Sequence, residues 1–439
     1  MEWQLVLILI FGALILLMAS GMPVAFAFII ICVVGAAMLW NGEAGLKALT
    51  LNLWFSVANF VFLPIPMFVF LGEVVFRSGM GMRAIDAMDS WLGRIPGRLG
   101  LLSVCVATLF STMSGDTLAT CAMLGETLTP EMERRGYKKP ISIGAVMGCG
   151  GLAMLIPPSG LAVLWASIAE VSVGQVLIGG AIPGLIIAIF YATYIIGRCY
   201  FQRSMAPAYD IRHVPLSERL IRTTKYVLPL TFIMFMVTGL ILLGIATPSE
   251  SAVMGVISGF ILAAAYRNLK WQMIKGSIIS TLKITVFIFV ITIGVKAFGN
   301  ILASTGASQE MVRWVSSLAI MPILIIISMV IIILIMGMFI PGLPVMMITI
   351  PIFMPIVLKL GFAPVWFGIL FLILIEMGQT TPPFGLLLFV MKAVTPTGTT
   401  MGEIVKAGIP FLICDAACVV IILALPNIVL WLPNIVFSS

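Results

Sequence analysis

Segments 226–245, 278–298, 318–340, 365–381 and 404–425 are apolar over roughly 18 residues or more, the length that carries a helix across a bilayer. Inside lipid no water satisfies backbone N–H and C=O groups. Segments of this length must therefore fold as helices that bond within themselves. Composition agrees, with 61% apolar and 9% charged residues, against about 25% charged in an ordinary soluble chain. The fold class is an all-α polytopic membrane protein whose outer surface meets the lipid bilayer. The first 40 residues begin Met1-Glu2-Trp3, lack a basic n-region and run into a second apolar stretch. They are read as membrane helices and not as a cleaved signal.

A net charge of +7 invites a nucleic-acid reading, and the placement of the charges argues against it. Most basic residues fall in four connections: Arg77 to Arg98, Arg134 to Lys139, Arg198 to Lys225, and Arg267 to Lys275. Such clusters mark cytoplasmic loops. The loops at 41–50, 170–174, 245–249, 300–316 and 359–363 are poor in Lys and Arg and are expected outside, with both termini periplasmic and 201–221 cytoplasmic. The cysteines form no CxxC pair and sit mostly in apolar runs, as small packing residues do. The single histidine, His213, lies in a basic loop and offers no metal site. There is no HExxH, no GxSxG and no GxxxxGK[ST], so neither an intramembrane enzyme nor a nucleotide-driven pump is indicated.

The chain repeats one plan. Pro157-Pro158 recurs as Pro382-Pro383 after 225 residues, and the same offset takes Pro130 to Pro355, Gly136-Tyr137 to Gly361-Phe362 and Gly160 to Gly385. With small gaps Gly174 meets Gly402, Ile182-Pro183 meets Ile409-Pro410, and AMDSWLGRIP (87–96) meets RWVSSLAIMP (313–322). Stretch 99–131 has strongly basic segments on both sides, whereas its counterpart 317–358 is flanked only by Arg313 and Lys359. Each is expected to be a re-entrant hairpin, the two entering from opposite faces. This is an inverted repeat, the usual plan of secondary transporters. Paired pore loops of a channel are the rival reading.

Polar atoms collect at the hairpin tips and at the proline pairs. The first tip, FSTMSGDTLAT, brings Ser111, Thr112, Ser114, Gly115 and Asp116 between two apolar arms. The second, MGMFIPGLP, offers Gly337 and Gly342 with Pro341 and Pro344. Irregular backbone at membrane depth is tolerated only inside protein or along a watery cavity, so both tips should face a site. Proline has no N–H and disfavours helix in the residue before it. The helix 141–156 should stop near Ile156 and restart at Pro158 or Ser159, and a second break is expected at Thr381-Pro382-Pro383. Carbonyls released at the stop suit a cation, and N–H groups at the restart suit an anion. The expected substrate contacts are Ser111, Thr112, Pro158, Ser159 and Pro383. The expected cation ligands are Ser114, Gly115, Asp116, Gly151, Ile156, Gly337, Gly342, Gly378, Thr380 and Thr381. Hydroxyls and carbonyls without an intramembrane histidine favour Na+ as the coupling ion, with no organic cofactor. Glu376 is expected either to support this site or to pair with a basic residue, while Glu250 and Asp415 read as ordinary helix-end residues.

STMSGDTLAT, GGLAMLIPPSGLAV with SVGQVLIGGAIPGL, and IEMGQTTPPFGLLLFVMKAV resemble the large membrane subunit of tripartite ATP-independent periplasmic (TRAP) transporters, in order and spacing over nearly the whole chain. The resemblance implies a sodium-coupled, elevator-type importer of small organic acids in a bacterial inner membrane. It also implies a separate small four-helix membrane subunit and a soluble periplasmic binding protein. One departure stands out. The family often carries Asp-Pro at the second tip where this chain reads Ile340-Pro341-Gly342, so a carboxylate ligand is missing there. Another sodium–carboxylate elevator working without a binding protein is the alternative.

The implied architecture is a scaffold (1–76 and 222–298) and a transport part. The latter comprises 99–200, with hairpin 99–131 and broken helix 141–169, and 317–425, with hairpin 317–358 and broken helix 365–393. Stretches 77–98 and 299–316 are amphipathic, with Trp91 and Trp314 at similar places, and read as interfacial arms. Segment 201–221 is a cytoplasmic loop and 426–439 a C-terminal tail.

Overall fold

A computed structural model describes the chain from Trp3 to Phe437 apart from residues 23, 40–41, 58–61, 94, 115–116, 208–214, 319 and 397. All its regular structure is helical. The first four helices are α1 (Trp3–Ala19), α2 (Val24–Leu39), α3 (Glu43–Val57) and α4 (Pro64–Arg77). A short α5 (Met80–Asp89) leads to the pair α6 (Arg98–Ser114) and α7 (Thr117–Arg134). Next come α8 (Lys139–Gly150), α9 (Leu152–Leu155), α10 (Gly160–Ile168) and the long α11 (Val173–Phe201). Then α12 (Leu216–Arg222), α13 (Leu228–Met234) and α14 (Leu240–Leu242) run on through π-turns at Thr223–Val227 and Phe235–Gly239. They are followed by α15 (Pro248–Ala265), α16 (Trp271–Ser304) and α17 (Ala307–Ser317). The last six are α18 (Pro322–Phe339), α19 (Gly342–Lys359), α20 (Pro364–Thr380), α21 (Leu386–Val394), α22 (Met401–Ala424) and α23 (Asn427–Phe437).

Among the described residues seven helices are long and apolar enough to cross a bilayer, and the bent pair Lys139–Leu155 and Gly160–Ile168, turned by 45°, makes an eighth. Large apolar side chains such as Ile8, Ile261, Ile335 and Ile413 point outward. Hydroxyls such as Ser251, Ser277, Thr285 and Thr292 turn inward. That arrangement suits lipid outside and polar contacts inside.

The repeat read from the sequence recurs in the helix ends. α6 ends at Ser114 and α18 at Phe339; α7 spans Thr117–Arg134 and α19 Gly342–Lys359; α8 starts at Lys139 and α20 at Pro364. Each pair is 225 residues apart. The shared turn has a simple cause. Gly136 (φ 81°) and Gly361 (φ 79°) take the left-handed backbone that only glycine adopts without cost. Behind them Tyr137 N–H donates to Met132 O, and Phe362 N–H to Val357 O, closing the same C-terminal cap twice.

Packing sorts the helices into two groups. α4 lies on α15 and α16, and α16 on α2 and α3. In the other group α8 lies on α6, α7 and α22, α18 on α20, and α11 on α22 and α23. Gly144 and Gly148 make α8 so narrow that a Cβ at Gly144 would stand 2.4 Å from Ala407 O of α22. Close crossings of this kind are how small residues bind membrane helices together. The groups meet where α4 touches α6 and α10, and where α16 touches α19. α5 and α17 reach both groups. Lys296 of α16 pairs at 3.3 Å with Glu170, in the turn between α10 and α11, and adds a further link.

Several boundaries differ from the sequence reading. α16 runs on to Ser304, so the second arm is confined to α17, and in the first arm only Met80–Asp89 is helical. Helix starts again at Leu216, within the stretch read as a cytoplasmic loop, and α3 begins at Glu43, within a stretch read as an external loop. Residues 427–437 form a helix in place of the expected tail, because Val429 and Pro433 find a glycine face on α11 at Gly179. Glu250 does sit at a helix start, in a capping box with Thr247. Asp415 is not at a helix end. It lies in mid-α22, buried, and accepts a hydrogen bond of 2.5 Å from the Tyr191 hydroxyl of α11. A carboxylate at membrane depth costs about 2.5–3.5 kcal/mol on insertion scales, which is the physical reason it has a partner.

Candidate functional site

Where the two helix groups meet there is a cavity of about 620 Å³. One wall is α4 and α16, with Phe68, Glu73, Phe76, Phe287 and Ile291. The opposite wall is built from chain breaks. Thr117, Gly160, Gly342 and Leu386 all line the cavity, and each is the first residue of its helix, α7, α10, α19 and α21. Four helix N-termini, two from each repeat, thus meet at one space. Their first N–H groups have no intrahelical acceptor and carry the positive end of each dipole. Together they favour a negative charge.

The breaks form as the prolines require. Pro157 and Pro158 cannot donate to Ala153 O and Met154 O four residues back, nor can Pro382 and Pro383 donate to Gly378 O and Gln379 O. Ile156 and Thr381 are extended and end their helices. Ser159 then caps α10, its Oγ accepting from Ala162 N–H at 3.3 Å. Both Pro-Pro bonds are cis. Met154 and Gln379, whose carbonyls are deprived of the ordinary donor, line the cavity.

Hydroxyls at the second break are arranged to accept. Thr380 Oγ1 donates to Met377 O at 2.9 Å, and Thr381 Oγ1 donates to the same carbonyl at 2.5 Å. With each proton committed to the backbone, the oxygen lone pairs remain for another partner. Oxygen ligands without nitrogen or sulfur are the donor set of a hard cation, and among the described residues no group of His, Cys, Asp and Glu could hold a transition metal.

The glycines make these breaks touch. A Cβ on Gly378 would lie 2.6 Å from Gly337 Cα, so α18 and α20 cross backbone on backbone. A Cβ on Gly342 would lie 2.5 Å from Ile375, and one on Gly151 2.5 Å from the Glu376 side chain. Gly151 and Glu376 are repeat mates, so the two copies meet face to face at this point. Glu376, on α20, is 5% exposed and packs against Gly151 at the junction of α8 and α9.

Not every expected residue reaches the cavity. Pro158 lines it and Ser159 lies beside it as a cap. Pro383 is exposed with Pro382 and Phe384. Gly385 folds back so closely that a Cβ there would stand 2.5 Å from Gln379 O, and this pushes the three residues outward, Phe384 against the Phe339 ring. Ser111, Thr112 and Ser114 belong to the last turn of α6, with side chains outside the described residues, as Gly115 and Asp116 are entirely. Gly337 and Gly378 pack α18 onto α20. Gly151 O and Gly378 O each accept a short-range bond, from Met154 N–H and Thr381 N–H, both at 3.1 Å. The sequence reading misses Met154 and Glu73. Counting back four residues from each proline finds Met154, but no local signal finds Glu73, which arrives from the other helix group.

An all-helical membrane chain in which interrupted helices from two repeats converge on one cavity has the architecture of a transporter permease. The chain belongs to the family described as tripartite ATP-independent periplasmic transporter, DctM component, whose family model matches residues 11–428. It is 31% identical over 391 residues to a C4-dicarboxylate TRAP transporter large permease protein of Pseudomonas aeruginosa, covering 88% of this chain and 90% of that one. It is 25% identical to an ectoine/5-hydroxyectoine large permease of Ruegeria pomeroyi, over 98% of this chain and 99% of the other. An isethionate permease protein DctMQ of Oleidesulfovibrio alaskensis is 26% identical, with 95% of this chain matching 65% of that protein. In fold the chain resembles the YdaH transporter of Alcanivorax borkumensis, at a TM-score of 0.62 and 15% identity over 89% of this chain and 90% of that one.

Proposed function

We propose that this chain is the large permease of a tripartite importer. It takes a small organic acid from a periplasmic binding protein and carries it inward, driven by a sodium gradient. The observation that carries the reading is the meeting of four helix N-termini at one cavity whose described lining holds no Lys or Arg, an arrangement that favours an anion. The carbonyls freed at Met154 and Gln379, with the hydroxyls of Thr380 and Thr381, would hold Na+, which would add positive charge beside the anion. That proximity gives coupling a physical basis, since each charge favours the other.

The two copies are read as an inverted repeat, with α6–α7 and α18–α19 as opposed re-entrant hairpins and α8–α10 and α20–α21 as broken helices. The group holding them would move as an elevator against α1–α4 and α12–α16, with α5 and α17 as the linking arms. A small partner subunit is supported by the fused name and greater length of the isethionate relative. The inner membrane is the implied location, with both termini periplasmic. Labelling a cysteine placed at Ser204 with an impermeant reagent from outside the cell would contradict that orientation.

The decisive test is uptake into proteoliposomes holding the whole complex, with its binding protein outside and a panel of radiolabelled acids. Uptake should require an inward sodium gradient. Uptake without sodium that follows a pH gradient alone would remove Na+ from this reading.

A further inference from the structure

We infer that the cavity selects a monocarboxylate with a bulky apolar body and disfavours a four-carbon dicarboxylate. The inference rests on the reading that this cavity is the substrate site.

Among the described residues the lining holds no Lys or Arg, and the first hairpin tip, 110–116, has none in its sequence. One wall supplies the anion contacts, the N-termini of α7, α10, α19 and α21. Thr117, the first residue of α7, is 1% exposed, and its Oγ1 has no hydrogen-bond partner in the protein. A buried hydroxyl left this way costs free energy until something pairs with it.

The facing wall is of the opposite character. Phe68, Phe76 and Phe287 offer ring surface, and among the described residues the one charged side chain in the lining is Glu73. Its carboxylate accepts from Arg77 Nε at 2.7 Å, and Arg77 Nη2 donates to Ser280 at 2.8 Å, so Arg77 is already engaged by Glu73 and Ser280. A ligand with its carboxylate at the helix N-termini extends its other end towards this wall. An apolar end buries surface against the phenylalanines. A second carboxylate loses its water among aromatic rings and meets Glu73, a like charge, with no Lys or Arg among the described lining residues to receive it. Size agrees, because a cavity of about 620 Å³ falls among pockets that enclose ligands far larger than a four-carbon acid.

The test is thermal unfolding of the purified membrane complex in sodium buffer, titrated with 3-phenylpropanoate, its neutral amide 3-phenylpropanamide, and succinate. Ligand bound to the folded state raises the melting temperature by mass action. Half-maximal stabilisation by 3-phenylpropanoate should need about tenfold less ligand than by succinate, a difference of about 1.4 kcal/mol. The amide should stabilise less than the acid. Glu73→Gln should narrow the gap to succinate, because it removes the like charge and releases Arg77. Succinate equal to or better than 3-phenylpropanoate on the unmodified protein would overturn the inference and leave the transport reading standing. An unchanged gap in a folded Glu73→Gln protein, or an amide as effective as the acid, would overturn it too. Failure of all three ligands to stabilise the complex would overturn both the inference and the cavity as substrate site. If Glu73→Gln does not fold, the comparison on the unmodified protein decides alone.

Discussion

Thr381→Ala should raise the sodium concentration for half-maximal uptake by about fivefold to a hundredfold. The Thr381 hydroxyl gives its proton to Met377 O and keeps its lone pairs. It ends α20 at the point where the following prolines leave Gln379 O without its ordinary donor. Alanine removes one oxygen from that set and leaves the prolines in place. A polar group left without its partner costs about 1–3 kcal/mol, and about 1.4 kcal/mol is a factor of ten. The direction follows, since a weaker site needs more sodium to fill. Uptake should recover, at least in part, at high sodium. Thr381→Ser keeps the oxygen and should stay near the parent, and Ser204→Ala, far from the break, should not alter sodium dependence. Sodium-dependence curves for the three variants decide the matter. An unchanged curve for Thr381→Ala in a folded complex would mean that the second break is a bend and not a cation site.

Gly378→Ala should abolish transport by preventing α18 from seating on α20. The new Cβ would stand 2.6 Å from Gly337 Cα and 2.7 Å from Gly337 C. Both are backbone atoms, so no side chain can swing away. Overpacking costs about 1–3 kcal/mol where side chains can adjust and more where they cannot. Gly337→Ala should be milder, because its Cβ would lie 3.1 Å from Gly378 Cα. Gly197→Ala is the control. It lies within α11, nothing stands within 4 Å of its Cβ, and it should be neutral or slightly stabilising. Melting temperature in detergent and uptake should fall in the order Gly197→Ala, Gly337→Ala, Gly378→Ala. A Gly378→Ala complex that melts and transports like the parent would refute the backbone crossing.

Two kinds of residue are legible in the sequence alone. The proline pairs act through their own missing N–H groups, so both helix stops can be placed to within a residue or two of Ile156 and Thr381. Gly136 and Gly361 act through φ alone, and the turns they mark stand out as repeat mates. Asp415 escapes a sequence reading for the opposite reason. Its neighbours in sequence say nothing of Tyr191, which lies 224 residues away. Pro383 shows the same limit, because the fold-back at Gly385 turns the second break outward while the first stays buried.

What the sequence determined by itself is therefore the membrane class, the twofold plan and the positions of the interruptions, since hydropathy, missing donors and left-handed glycines are local properties. Only the tertiary structure decided which sides of those interruptions face a common space and what stands opposite. The wall of α4 and α16, with Glu73 and its phenylalanines, comes from outside the four helices whose N-termini it faces. It reaches the helix N-termini only through packing between segments far apart in the chain, and no local pattern encodes that packing.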